Sequence, residues 1–222
     1  SLHDNLSYLE KAAAAGIRYV YTSLHIPEAN ANAFKEVHEI LAKAHQLGMQ
    51  VIADISKHYM DKVDLRKLAL HGLRLDFGYT AEEIARLTGE SPYKIQLNAS
   101  TITEPYMENL LRLGAKIENI EVCHNYYPRK DTGISHELLM ERNRCFRKYQ
   151  LNIAAFIPSQ HQRRGPVYEG LPTLERHRRL KPLVSAQHLL HSDIDTVYIG
   201  DAFASEEELK SLTQINRSIF RI

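Results

Sequence analysis

The sequence predicts an α/β protein of the (β/α)8 TIM-barrel class with its first strand missing. Three observations predict it. Short β-rich runs alternate with longer helical patterns from end to end, the signature of parallel strands joined by helices. Seven such runs occur and the chain opens on a helix, while 222 residues sit somewhat below the ~250 of a complete barrel. The first run is followed by Thr22, Ser23, Leu24 and His25 rather than by the Gly-rich nucleotide loop of an open doubly wound sheet.

Each element has its own signal. Leu6, Leu9 and Ala13 recur at helical spacing before Gly16, and the first strand follows from Arg18 to Leu24. Phe34, Val37, Ile40, Leu41 and Ala44 form the next helical stripe, stopped by Gly48 ahead of a strand from Gln50 to Ile55. Gly72 to Phe77 reads as the third strand, and Thr80 with Glu83 forms a capping box, in which hydroxyl and carboxylate satisfy the free N–H groups of a helix's first turn. Lys94 to Asn98 is the fourth strand, with Thr103-Glu104-Pro105 starting the helix behind it. Asn119 to Cys123, Asn152 to Ile157 and Thr196 to Ile199 complete the strands, with helix starts at Ser135 and at the Ser205–Glu208 capping box. No long linker, repeat or low-complexity tract interrupts the pattern, so residues 1–222 read as one barrel domain.

Composition narrows the function classes. Hydrophobic residues make up 44%, too many for a disordered chain, and 28 Lys plus Arg against 27 Asp plus Glu provide no global field for nucleic acid. Cys123 and Cys145 are too few for a disulfide scaffold, no apolar run approaches a membrane span, and no apolar signal segment opens the chain. A cytoplasmic protein without nucleic-acid or membrane partners is expected, and a homo-oligomer is left open.

In parallel β/α folds the reactive groups gather where strands end. Side chains alternate along a strand, so Arg74 and Asp76 should face the barrel axis while Leu73 and Leu75 face the helices. Gln96, Asn98 and Ser100 share one parity, and Glu121, Cys123 and Asn125 another. Arg74, Gln96 and Glu121 then form a buried polar layer of mutually satisfied groups, with Asp76 and Asn98 one layer nearer the mouth. Acetal hydrolysis commonly uses two carboxylates, and Asp54, Asp76, Glu121, Glu169 and Asp201 could each reach the mouth; with the resemblance described below, Asp54 and Asp76, and Glu169 in reserve, become the catalytic candidates. Asp54 and Asp201 equally suit the capping of a following turn.

A second feature is the stretch Ser159 to Pro182, SQHQRRGPVYEGLPTLERHRRLKP. Six cationic residues stand there against Glu169 and Glu175, a local balance of +4 in a chain whose net charge is +1. Arginine's planar fork suits phosphate or carboxylate, so an anionic small molecule is the expected partner. His25, His124, His161 and His177 lie in loops, yet no HxH, HExxH or CxxC spacing occurs and neither a metal nor another cofactor is expected. Cys123 beside His124 is no nucleophile pair, because adjacent strand residues point to opposite faces.

TSLHIPE (22–28), LRLDFG (73–78), LNAST (97–101), IEVCHNYYPRKDTGIS (120–135), RGPVYEGLPTLERHR (164–178) and YIGDAFASEEEL (198–209) together resemble the bacterial 6-phospho-N-acetylmuramidase family, over nearly the whole chain and in order. The resemblance implies a cytoplasmic glycoside hydrolase that splits N-acetylmuramic acid 6-phosphate–N-acetylglucosamine during cell-wall recycling. It also implies a barrel domain followed by a smaller cyclophilin-like domain, with an opening strand that is not seen before Ser1 here. Combined with strand position, it makes Asn98, His124, Asn125, Arg129, Arg164, Arg178 and Asp201 the expected substrate-binding residues. Two other classes stay open: a barrel isomerase or aldolase acting on a free sugar phosphate, for which Lys57 is the one lysine near a strand end, and a non-catalytic sugar-phosphate binding protein.

Overall fold

The computed structural model describes residues 1–24, 31–60 and 62–215. His25 and the rest of the 22–28 motif from that residue on lie outside them. The chain divides into two compact units, residues 1–98 with 102–120, and residues 99–101 with 121–222.

The first unit holds helices α1 (Leu2–Ala14), α2 (Ala31–Gln46), α3 (Lys57–Met60), α4 (Ala81–Glu90) and α5 (Glu104–Arg112), and strands β1 (Tyr19–Ser23), β2 (Gln50–Ile55), β3 (Gly72–Leu75) and β4 (Lys94–Asn98). These strands pair in chain order, each step parallel. Gly16 and Gly48 take left-handed φ values of 84° and 70° just past α1 and α2, the conformation that ends a helix without a Cβ clash. Thr80 Oγ1 accepts from Glu83 N at 3.2 Å while Thr80 N donates to Glu83 Oε2 at 3.0 Å, the reciprocal cap expected for α4. The core is aliphatic: Leu41, Ala44, Val51, Ile52, Ile55, Leu73, Ile95, Leu97, Met107 and Leu110 are buried.

Register decides which polar groups share a row. Asp54 pairs with Ser23 on one side and Arg74 on the other, and Arg74 pairs with Gln96. Registered residues of neighbouring strands project to the same face. Arg74 and Gln96 are 3% and 1% exposed, buried as alternation predicts, but Glu121 is only half-buried and the Gln96 amide meets no hydrogen-bond partner among the described residues, so the expected layer of mutually satisfied groups is not formed. Asp54 belongs to that row and not to the one above it.

The second unit carries β5 (Ile120–Cys123), α6 (His136–Lys148), β6 (Asn152–Ile157), α7 (Pro182–Leu190), β7 (Thr196–Ile199) and α8 (Glu206–Leu212). β6 pairs in parallel with both β5 and β7. Its core gathers Val122, Leu139, Phe146, Ile153, Phe156, Ile157, Leu189 and Leu209. The Ser205–Glu208 box caps α8 as expected. Helices α3 and α7 have no strong start signal and were not read from the sequence; Pro182 at the first turn of α7 is the one available cue. No helix among the described residues is long and apolar enough to cross a membrane.

Candidate active site

In the first unit, Asp54 is half-buried near the end of β2, and Asp76 lies exposed one residue past β3, its N–H donating to Ile55 O at 3.1 Å. Because Asp54 is level with Arg74, Asp76 stands two residues further along the neighbouring strand. That offset puts the two Cα atoms about 8 Å apart from strand rise and spacing. Asn98 is half-buried at the end of β4. Lys57, just after β2, is ion-paired with Glu83 at 3.1 Å, the same carboxylate that closes the α4 cap. A charge-paired, partly exposed ammonium lacks the desolvation that turns a lysine into a nucleophile.

The second unit is organised around the arginine-bearing loop after β6. Asp201, just past β7, accepts from Ser159 N and Arg164 N, each at 2.9 Å. Glu208 accepts from Ser159 Oγ and Gln160 N, each at 2.8 Å, so the carboxylate that caps α8 also holds the start of the loop. Burial pushes the Asp201 carboxyl up, against the opposing pull of the backbone N–H groups it accepts. At the loop's far end Arg178, 4% exposed, grips Glu175 through two 2.6 Å bonds. The same guanidinium donates to the carbonyls of Gly170 at 2.8 Å and Tyr127 at 3.1 Å. The Arg178 bonds hold the Glu175 carboxyl well below its ordinary range, down to about 2. Glu169 Oε2 accepts from Lys130 N at 2.5 Å, strapping the β6 loop to the one after β5.

Three of the expected substrate-binding residues have other partners in the structure. His124 is fully buried, its Nε2 2.8 Å from Asn143 Oδ1 in α6, because parity along β5 turns it towards the helices. Arg178 is a loop anchor, its fork engaged by Glu175 and backbone carbonyls. Asp201 uses its carboxylate on loop N–H groups. What stays outward is different: Arg129 and Arg164 are exposed, Asn125 and Glu169 half-buried. Arg164 Nη1 donates to the Tyr126 hydroxyl at 3.4 Å, and the Tyr126 ring meets Phe156 edge-on with centroids 4.5 Å apart. Tyr126 was not singled out from the sequence, although the CHNYYPR string contains it. Cys123 is buried, its thiol 3.5 Å from the His124 carbonyl.

A histidine group packs behind the Arg178 turn. His177 Nε2 lies 2.8 Å from His188 Nδ1, Arg176 lies against the His188 ring, and His136 is 4.9 Å from His188 between centroids. Burial pushes His177 down to about 3, and the nearby His188, Arg176 and His136 add to the effect. Burial likewise lowers His188 to about 4, with Arg176 and His136 contributing. Among the described residues no three His, Cys, Asp or Glu side chains are placed to hold a metal ion.

The sign of the pH effect follows. Both imidazoles bind protons more weakly folded than unfolded, so the unfolded chain takes up more protons below the ordinary histidine value of 6.5. The stability they contribute is complete above that value and is lost as pH falls from it towards 4 and then 3. Glu175 works in a lower window: its contribution is present above 4.5 and disappears as pH falls towards 2. Thermal melts should therefore show Tm dropping already between pH 6.5 and 4, with His177→Gln flattening that slope. A slope unchanged in the variant would remove the histidine pair as its cause.

Seven parallel strands with helices between them define a β/α barrel of the TIM type, and a fungal β-1,4-galactanase structure matches it with a TM-score of 0.57 at 14% identity, over 93% of this chain and 91% of that one. The chain belongs to the family described as 6-phospho-N-acetylmuramidase, N-terminal, whose model matches residues 1–214. An uncharacterized B. cereus protein of known structure is 35% identical with a TM-score of 0.85, over 98% of this chain and 62% of its own. An Enterococcus faecalis protein of unknown function is 34% identical, also with a TM-score of 0.85, over 96% of this chain and 62% of its own. This chain thus spans about 62% of the length of those two relatives. The search of curated proteins returned no match.

Proposed function

We propose that residues 1–222 act as the catalytic barrel domain of a cytoplasmic glycoside hydrolase that cleaves N-acetylmuramic acid 6-phosphate–N-acetylglucosamine in peptidoglycan recycling. The observation that carries it, beside family membership, is the loop after β6. Asp201, Glu208 and Arg178 fasten it at both ends, and it presents Arg164 outward in an otherwise near-neutral protein. A guanidinium held this way suits the phosphate or the lactyl carboxylate of such a sugar, because the entropy of ordering the loop is already lost before binding.

In this reading Asp54 and Asp76 supply the acid and the base or nucleophile. Arg129 and Arg164 hold the anionic groups, and Asn98 and Asn125 bind hydroxyls or the N-acetyl group. Glu169 is the reserve carboxylate, with one oxygen already committed to Lys130 N. Against an aldolase stands the Lys57–Glu83 ion pair.

The test offers the 6-phosphorylated and unphosphorylated disaccharides and measures released N-acetylglucosamine. Hydrolysis of the phosphorylated substrate alone is expected, with Arg164→Ala raising KM about tenfold or more, the scale of one charge-assisted hydrogen bond. Ligand-induced stabilisation without product release would favour a binding protein instead. Activity on a free sugar phosphate would favour an isomerase or aldolase.

A further inference from the structure

The loop that carries Arg164 also carries a large aromatic ring that is mostly exposed. Tyr168 is 65% exposed, the most exposed of the large hydrophobic side chains among the described residues, and its neighbour Val167 is 40% exposed. Its backbone is also in an uncommon state, at φ 57°, where a bulky residue crowds its own Cβ against the carbonyl. Glycine or asparagine would take that conformation with less strain. An exposed tyrosine held there is disfavoured twice, once by hydration of its ring and once by its backbone.

The surroundings brace the backbone that carries the ring. Tyr168 N donates to Arg164 O at 3.3 Å, closing a tight turn, and Arg164 N is in turn held by Asp201 at 2.9 Å. Downstream, Glu169 is strapped to Lys130 N and Gly170 O accepts from Arg178 at 2.8 Å. The ring folds back over Gly165, where a Cβ would sit 3.0 Å from the tyrosine hydroxyl and 3.1 Å from its ring carbon Cζ. Gly165 therefore leaves the space that the ring uses. The outcome is an exposed aromatic ring on the same braced turn as an outward arginine.

We propose that Tyr168 is a substrate-specificity residue whose ring stacks against the C–H face of a pyranose, beside the anionic group held by Arg164. The axial C–H bonds of a sugar ring are weakly positive and apolar, and the face of an aromatic ring is negative, so the two attract and exclude water from each other. A two-torsion side chain held on a braced turn loses little entropy on binding. The proposal rests on the glycosidase reading for its substrate, yet the stacking contact has a readout independent of hydrolysis.

Two variants separate the ring from the backbone. Tyr168→Gly removes the ring and relieves the strain, so its Tm stays level or rises, while KM for the phosphorylated disaccharide increases about tenfold with kcat within about twofold. Tyr168→Phe keeps the ring and retains the original KM. In proton NMR titration with N-acetylmuramic acid 6-phosphate, sugar C–H signals shift upfield with the parent protein and with Tyr168→Phe, and not with Tyr168→Gly. If neither disaccharide is hydrolysed but the upfield shift and its loss are seen, the glycosidase reading falls and the stacking site stands. A KM unchanged in Tyr168→Gly, or a sugar that binds without ring-current shifts or not at all, overturns the site itself.

Discussion

Asp54→Asn and Asp76→Asn should each lower kcat on the phosphorylated disaccharide by ~10²- to 10⁴-fold, the usual worth of a positioned acid or base. The two losses should differ in kind. Cleavage of a glycosidic bond needs a proton delivered to the leaving oxygen and a carboxylate, ionised, on the other side of the sugar. An activated aryl leaving group needs no proton, so it rescues the variant lacking the acid and leaves the other one slow. Asp54 lies half-buried in the row of Arg74 and Gln96, whereas Asp76 is exposed past β3. Comparing the disaccharide with an aryl glycoside assigns the roles from chemistry. Normal turnover by a folded Asp76→Asn protein would exclude Asp76, and Glu169→Gln is then the next variant to assay.

Arg178→Met is expected to be the most destabilising single change in the second unit. The arginine is almost wholly buried, and its loss leaves the partly buried Glu175 carboxylate without its cation and the Gly170 and Tyr127 carbonyls without their donor. Breaking a buried pair by removing one partner costs ~3–5 kcal/mol, and the partial exposure of Glu175 lowers that to ~2–4 kcal/mol. The urea midpoint should fall accordingly, and Tm by on the order of 5–15 °C. Arg178→Lys should not restore it, because an ammonium has three N–H donors and no planar fork, so it cannot reproduce the guanidinium's two bonds to Glu175 together with those to the Gly170 and Tyr127 carbonyls. Glu175→Gln should cost less, since an amide oxygen still accepts from Gly133 N, 2.8 Å away in the parent protein. An Arg178→Met protein of unchanged stability whose KM for the phosphorylated substrate rises would return Arg178 to the substrate-binding group.

Much of the second unit's organisation was beyond reach before the fold was known. His124 is instructive because its place was within reach: the alternation that sets Cys123 and Asn125 on one face assigns His124 to the other, where it meets Asn143. Asp201 and Glu208 are a different case. The capping role of Glu208 was legible, but the partners Ser159, Gln160 and Arg164 of these two carboxylates lie some 40 residues away in the chain, and no local pattern announces such a pairing. The +4 stretch likewise reads as six equivalent cations, while the structure divides them into the buried anchor Arg178 and outward groups such as Arg164.

By itself the sequence determined the elements and their class. Alternation with period two, stripes with period 3.6, and hydroxyl–carboxylate caps are local consequences of backbone geometry, and they placed the seven strands within a residue or two of where they occur. The motif strings determined the family. Only the tertiary structure decided strand register, which set Asp54 level with Arg74 instead of with Asp76, and which carboxylates and arginines are engaged in holding loops. Those choices depend on contacts between distant segments, where one residue of slip or one buried carbonyl changes a side chain's partner.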